Sequence, residues 1–377
     1  MKDRPQKKLA LKYCAAQRII PFLEVLVRSQ TGLEDVPFNI TDIDVMAVDI
    51  ERSGAVRRLL FDCKSASRLS PINRSIWAAG LKAFVQADSA YVIQLRDVPY
   101  SHQLAANTLD VHVHTEDSFR RYANSISIDF SKDITYLDDI DIWDSLLRLE
   151  QTQPVLLDLS WFTSNQASLE HSAARGVRLG LSALLKSGPE LDPRKPLHRT
   201  LFGNLVSALL IFLSSAAASI KEVFQFSMQK TEFERTMRYF IWEGRENYEI
   251  RRDMKSAIDE ARGARSNDLD LPEWNLFLEM MRSFLDAPEA VTSLPFLSKE
   301  LAFRASAARR KDADDHIRSL FAANNRARQF LFSTARYLVH AGKLPLEFSS
   351  LLESDINGLL TAAPANDAGA SGSTLKG

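Results

Sequence analysis

The sequence predicts an α/β sandwich around a mixed sheet in its first third, followed by an all-helical remainder. Up to about Tyr122, short apolar runs of strand-like composition alternate with segments whose apolar residues recur every three or four positions. Beyond about Ile140 the three- and four-residue spacing takes over and strand-like alternation is scarce. The 377 residues, 45% of them hydrophobic, are enough for two or three domains with their own cores, so we divide the chain into 1–130, 131–361 and a tail, 362–377.

Taken in order, residues 7–29 read as a helix kinked near Pro21, because proline lacks an amide donor and crowds the preceding turn. Leu23, Leu26 and Val27 follow at helical spacing, and Thr31-Gly32 is the expected stop. Residues 40–50 and 57–64 read as strands, and the connection containing Ser53-Gly54 makes them an antiparallel hairpin. Residues 74–87 carry Ile76, Leu81, Phe84 and Val85 on a helical repeat, and 90–95 form an apolar run suited to an inner strand. A helix over 101–107 and a strand over 109–114 repeat that step, and a last helix closes the series.

In the helical remainder, 231–262 and 301–339 mix charged and apolar residues at helical spacing, and prolines such as Pro189, Pro272 and Pro295 separate the segments. Residues 201–220 hold no charge and are about as long as the ~20 residues a membrane-spanning helix needs. Asn204, Gly203 and four serines dilute that stretch, and we read it as a helix buried in a helical core rather than one inserted in a membrane. The tail has too few large apolar groups to offset the entropy of ordering and is expected to be disordered.

Lys and Arg total 47 against 48 Asp and Glu, so no global field draws the chain to nucleic acid or an anionic membrane, and any polyanion contact must be local. Two cysteines, Cys14 and Cys63, make neither a disulfide framework nor a zinc motif. With no apolar run of signal-peptide length near the start, a reducing cytoplasm is the expected location.

The segment LLFDCKSA, 59–66, places Asp62 and Lys64 on one face of a strand and Phe61 and Cys63 on the other. Asp42 and Asp44 share a face of the preceding strand, so the hairpin brings carboxylates from both strands together. Such a cluster is costly unless a cation sits between the carboxylates, and Mg²⁺ (or Mn²⁺) favours this kind of open, oxygen-lined site. Glu24 borders the apolar arc of Ile20, Leu23 and Val27 on a helical wheel and adds a third carboxylate. Lys64 can orient or help deprotonate a metal-bound water and offset charge on a phosphorane-like transition state.

This ordered set resembles the PD-(D/E)XK nuclease superfamily, with its restriction-endonuclease-like fold, over about the first 125 residues. The resemblance rests on Glu24, on TDIDVMAV with Asp44, on FDCK with Asp62 and Lys64, and on the elements that follow. It implies that Asp44 and Asp62 are metal ligands, Glu24 an auxiliary ligand, Lys64 the catalytic lysine and a nucleic-acid phosphodiester the substrate. No proline precedes Asp44, and the first acid of the second motif is Asp where Glu is commoner; neither departure removes a needed group. Gln86 falls where some relatives place a polar residue. Relatives often cut duplexes as pairs, which makes a homodimer the expected assembly.

Simpler readings stand beside these. Asp62 and Lys64 can form a solvated ion pair worth ~1 kcal/mol or less. Asp42 reads as an exposed neighbour, Cys63 as a small core residue and His112 with His114 as structural. Trp77 and Phe84 read as core. Arg309, Arg310 and Lys311 lie beside Asp312, Asp314 and Asp315 and read as a solvated helical face, as distinct from a phosphate-binding patch with Arg326 and Arg328. Arg68 and Arg74 alone gain from nearness to the site and are the expected nucleic-acid contacts. The leading expectation is a Mg²⁺-dependent DNA nuclease, suited to defence against foreign DNA, with a helical domain that binds target, partner or second subunit. The alternative is a non-catalytic protein whose nuclease-like domain binds nucleic acid or a partner.

Overall fold

The computed structural model describes residues 1–29, 38–65, 70–223, 228–263 and 269–361. The expected stop at Thr31-Gly32, the expected contact Arg68 and the expected disordered tail lie outside them.

Helix α1 (Arg4–Gln17) starts with a proline in its first turn and ends at Arg18, whose φ of 58° turns the chain out of the helix. Residues 20–28 do not continue as the kinked helix expected from the sequence: they form strand β1 (Ile20–Arg28). Ile, Phe and Val favour an extended backbone, and Pro21 is tolerated because β1 is an edge strand with a side free of ladder bonds. Glu24 therefore sits on a strand and not in the first helix, itself at a φ of 55°.

Strands β2 (Asn39–Ile50) and β3 (Val56–Lys64) form the expected antiparallel hairpin. Gly54 takes a φ of 83° in the turn, and its N–H donates to the Glu51 carbonyl at 2.8 Å. Helix α2 (Pro71–Phe84), β4 (Ser89–Gln94), α3 (Tyr100–Asn107), β5 (Val111–Thr115) and α4 (Glu116–Ile126) complete the α/β part. The five strands are ordered β1-β2-β3-β4-β5, antiparallel through β3 and parallel after it. The N-terminal part is thus a mixed five-stranded sheet, and a mostly helical region follows.

Two helices cover the sheet face that carries Phe61 and Tyr91. Tyr13 from α1 and Phe119 and Tyr122 from α4 pack around those two rings at centroid distances of 5.8–6.5 Å. Helices α2 and α3 pack against each other and along β4 and β5. Residues buried in α2 are Ser75, Ala78 and Leu81, and the small Ser75 and Ala78 let the helix sit close to the sheet. Trp77 and Phe84, expected in the core, are exposed instead, as is Ile76.

The helical region opens with α5 (Ile140–Thr152); α6 (Leu157–Trp161) then runs through a π-helical turn, Phe162–Gln166, into α7 (Ala167–Leu169). Next come α8 (Ala173–Ser187), α9 (Pro196–Lys221), α10 (Lys230–Ile241) and α11 (Arg245–Ala261). Helices α12 (Trp274–Asp286), α13 (Pro288–Thr292), α14 (Leu294–Arg304), α15 (Lys311–Ala323), α16 (Ala327–Ala341) and α17 (Glu347–Thr361) end the described chain. Among the described residues α9 alone is long and apolar enough to cross a membrane, and 83% of its apolar window is buried against the rest of the protein. Its neighbours are α8, α13 and α14, which is the buried-core reading of 201–220.

A single apolar core runs through sheet and helices. The outer edge of β1 is covered: Asn165 in the π-helical turn accepts from the Leu26 N–H at 2.7 Å, which satisfies an edge donor. Arg58 of β3 donates to the Ser168 and Glu170 carbonyls, and Lys299 of α14 places its ammonium 3.9 Å from the Phe22 ring centroid. Arg310 is not on the solvated face expected for 309–311. It ties Asp133, Asp138 and the Thr135 carbonyl to the start of α15, while Arg309 donates to the Arg304 carbonyl.

Candidate functional site

The β2–β3 ladder runs from Ile50 and Val56 to Val45 and Phe61 and stops there. One residue further, the Asp44 side chain fills the opening between the strands: its Oδ2 accepts from the Cys63 N–H at 2.8 Å, a donor the ladder no longer satisfies. The register pairing Leu23 with Val45 and Val25 with Ile43 sets Glu24 opposite Asp44 on the other side. The hairpin and its edge neighbour thus bring the expected carboxylates together.

Lys64 lies among them. Its Nζ is 3.0 Å from Asp44 Oδ2 and 3.7 Å from Asp62 Oδ1. Asp44 and Asp62 are both buried, so this is no solvated surface pair. Burial disfavours the Lys64 ammonium, but Asp44 and Asp62 outweigh it and raise its pKa. Burial also raises the Asp62 carboxyl, only partly offset by Arg74 and Lys64.

Arg74, in the second turn of α2, grips both oxygens of Asp62 and stacks 4.4 Å from the Trp77 ring centroid. A fifth residue, Lys7 of α1, was not anticipated from the sequence. Its ammonium reaches Asp44 Oδ1 at 2.9 Å and also pairs with Glu24, and the side chain is only 2% exposed. Burial works against that charge, yet Asp44 and Glu24 together raise its pKa. The signal available was the helical spacing of Lys7 with Leu11 and Cys14, all three buried on α1. Gln94, buried and in register with Lys64 on the neighbouring strand, was also missed.

Other expected residues sit elsewhere. Asp42 is exposed, as expected. Gln86 lies beyond the end of α2 and before β4, at the end of the sheet away from Lys64. Cys63 is buried in the core, where burial pushes its thiol well up. His112 packs against Tyr91, and His114 stacks on Tyr122. Burial, with a smaller contribution from His112, lowers His114 to about 4, so it is neutral at physiological pH.

Glu24, Asp44 and Asp62 supply the hard oxygen donors a divalent cation takes. In the structure their three charges face three protein cations, Lys7, Lys64 and Arg74, so the cluster is electrically balanced. Among the described residues no group of three or more His, Cys, Asp and Glu side chains is arranged to hold a metal ion. Donor chemistry fits Mg²⁺ or Mn²⁺; binding requires that Arg74 or Lys7 release the oxygens they now hold.

The chain matches no protein-family model, no curated protein and no solved structure.

Proposed function

We propose that the N-terminal part is a restriction-endonuclease-like nuclease domain that hydrolyses DNA phosphodiester bonds in a metal-dependent reaction. The observation that supports this most is the Lys64 ammonium lodged between the buried carboxylates of Asp44 and Asp62. In this reading Asp44 and Asp62 hold Mg²⁺ or Mn²⁺, with Glu24 as auxiliary ligand. The ion, when bound, lowers the pKa of a water and offsets phosphate charge. Water adds to phosphorus, the ester P–O bond breaks, and an alcohol and a phosphate monoester leave.

Lys64, with its raised pKa, stays protonated near neutral pH. Its role is therefore to hold the attacking water and stabilise charge on the phosphoryl oxygens, not to act as the base. In this reading Arg74, once released from Asp62, meets a phosphate. Incubation with plasmid, linear duplex, single-stranded DNA and RNA in Mg²⁺ or Mn²⁺ tests the proposal. Cleavage is expected, and it is expected to vanish in Asp62→Ala and Lys64→Ala; cleavage that survives both substitutions rules the chemistry out.

One observation favours the second reading, a non-catalytic domain that binds nucleic acid or a partner: every carboxylate of the cluster already has a protein cation. That reading requires no divalent-ion binding at Asp44 and Asp62. Calorimetric titration with Mn²⁺, wild type against Asp44→Asn, separates the two.

A further inference from the structure

Of the cations that hold the cluster's carboxylates, Lys7 and Arg74 are placed very differently. Lys7 is 2% exposed, with its ammonium between the Glu24 carboxylate and Asp44 Oδ1. It belongs to a turn of α1 in which Gln6, Leu9, Ala10 and Leu11 are buried as well. That end of the helix is tied down: Asp3 accepts from the Ser65 N–H at 2.8 Å, Gln6 donates to Glu116 Oε1 at 2.5 Å, and Arg4 pairs with Asp144 at 3.2 Å. Arg74 sits nearer the surface, 13% exposed, against the exposed Trp77. An arginine at the rim can turn outward. An ammonium enclosed by two carboxylates on a fixed helix cannot leave without stranding buried charge.

The backbone of Glu24 fits the same picture. Its φ of 55° is a left-handed conformation that costs a non-glycine residue free energy, and in that conformation its carboxylate meets Lys7.

Charge decides how many divalent ions such a site takes. With Arg74 turned away and one ion bound, three carboxylates face the ammonium groups of Lys7 and Lys64 and the two charges of the ion. One positive charge is left over, which matches the single negative charge of a phosphodiester. A second ion beside a retained Lys7 would leave three positive charges close together, with like charges repelling at short range.

We propose that Lys7 is the resident cation of this site: it holds the place between Glu24 and Asp44 that a second divalent ion would take, so that a single ion binds, on the Asp62 side of Asp44. Lys7 is thus a positioning residue. While it is present, the auxiliary part of Glu24 is to hold the ammonium; Glu24 becomes a direct ligand only when that ammonium is gone. The inference rests on the metal-dependent reading and goes beyond it in fixing the number of ions and the group that limits it.

Calorimetric titration of the full-length protein with Mn²⁺ tests this, counting only the ions that Asp44→Asn removes. The wild type is expected to bind one ion and Lys7→Met two, with Lys7→Met/Glu24→Gln returning to one and Lys7→Arg staying at one. Electron paramagnetic resonance supplies a second readout: the signature of a coupled Mn²⁺ pair is expected in Lys7→Met and absent from the wild type. Mn²⁺ should also raise the melting temperature of Lys7→Met more than that of the wild type, because two bound ions stabilise the native state more than one. A wild type that binds two ions overturns the inference and leaves the metal-dependent reading standing, and this count holds whether or not Lys7→Met folds. A folded Lys7→Met that still binds one ion, as judged by its retained circular-dichroism signal, overturns it too. A wild type that binds none removes the metal-dependent reading itself, and the inference with it.

Discussion

The ammonium of Lys7 lies 2.9 Å from Asp44 Oδ1, while Lys64 holds the other oxygen of the same carboxylate at 3.0 Å. One buried aspartate is thus clamped from two elements, α1 and β3. Removing Lys7 leaves Asp44 and Glu24 with one cation fewer in a site with little water. Lys7→Met is expected to cost about 3–5 kcal/mol in urea unfolding, as for other broken buried pairs. A loss below about 1 kcal/mol would show that the clamp does not hold in solution.

Arg74 occupies both oxygens of Asp62, so within the nuclease reading it competes with the metal. Arg74→Gln should therefore tighten Mn²⁺ binding, by about tenfold in calorimetric titration, while cleavage falls because a phosphate-facing cation is lost. Weaker metal binding in that variant would mean that Arg74 supports the ion site and does not block it.

At Gly54 two demands meet. Its φ of 83° suits glycine, and a Cβ there would fall 2.1 Å from the Cβ of Ala218 on α9. Gly54→Ala is expected to destabilise by about 2–4 kcal/mol, from left-handed strain and overpacking together. Adding Ala218→Gly should return the packing part only, and thermal melts of the single and double variants measure the split.

Lys299 is fully buried over Phe22 and Trp143, and burial lowers its pKa from 10.5 to about 7. Between about pH 7 and 10.5 the unfolded chain binds this proton and the native state does not, so the group makes stability rise with pH across that window. Neighbouring Glu300 has the opposite sign: burial raises it to about 7, so between pH 4.5 and 7 its contribution falls as pH rises. Lys299→Met removes the alkaline rise. Measured by urea unfolding, its stability advantage over wild type should be on the order of a few kcal/mol below pH 7 and shrink towards pH 10. An advantage that stays constant with pH would contradict a buried, titrating amine.

The charged hairpin was legible because strand alternation, the Ser53-Gly54 turn and the FDCK pattern all agree. Glu24 was anticipated as a carboxylate of the site but on the wrong element. Residues 20–28 fit both helical spacing and a continuous apolar strand, and Pro21 suits a kink or an edge equally well. Lys7 was hidden among four lysines in the first twelve residues. In α2 the true contact residues, Ser75 and Ala78, are small, and small residues leave almost no hydrophobic signal; the large ones, Ile76 and Phe84, drew the eye to the wrong face. Nothing local could reveal that Glu300 accepts from the Tyr136 N–H, or that Arg310 binds Asp138, because the partners are separated by more than 160 residues.

The Asn165 side chain on the edge of β1, and the α14 amine over Phe22, have a mechanical consequence. Phe22 and Glu24 lie two residues apart on β1, so whatever shifts α14 or loosens the π-helical turn also moves the strand that carries the carboxylate facing Asp44. The helical half is in this sense the seat of the strand, and a fragment cut near residue 130 would keep Glu24, Asp44 and Asp62 while losing what aims them.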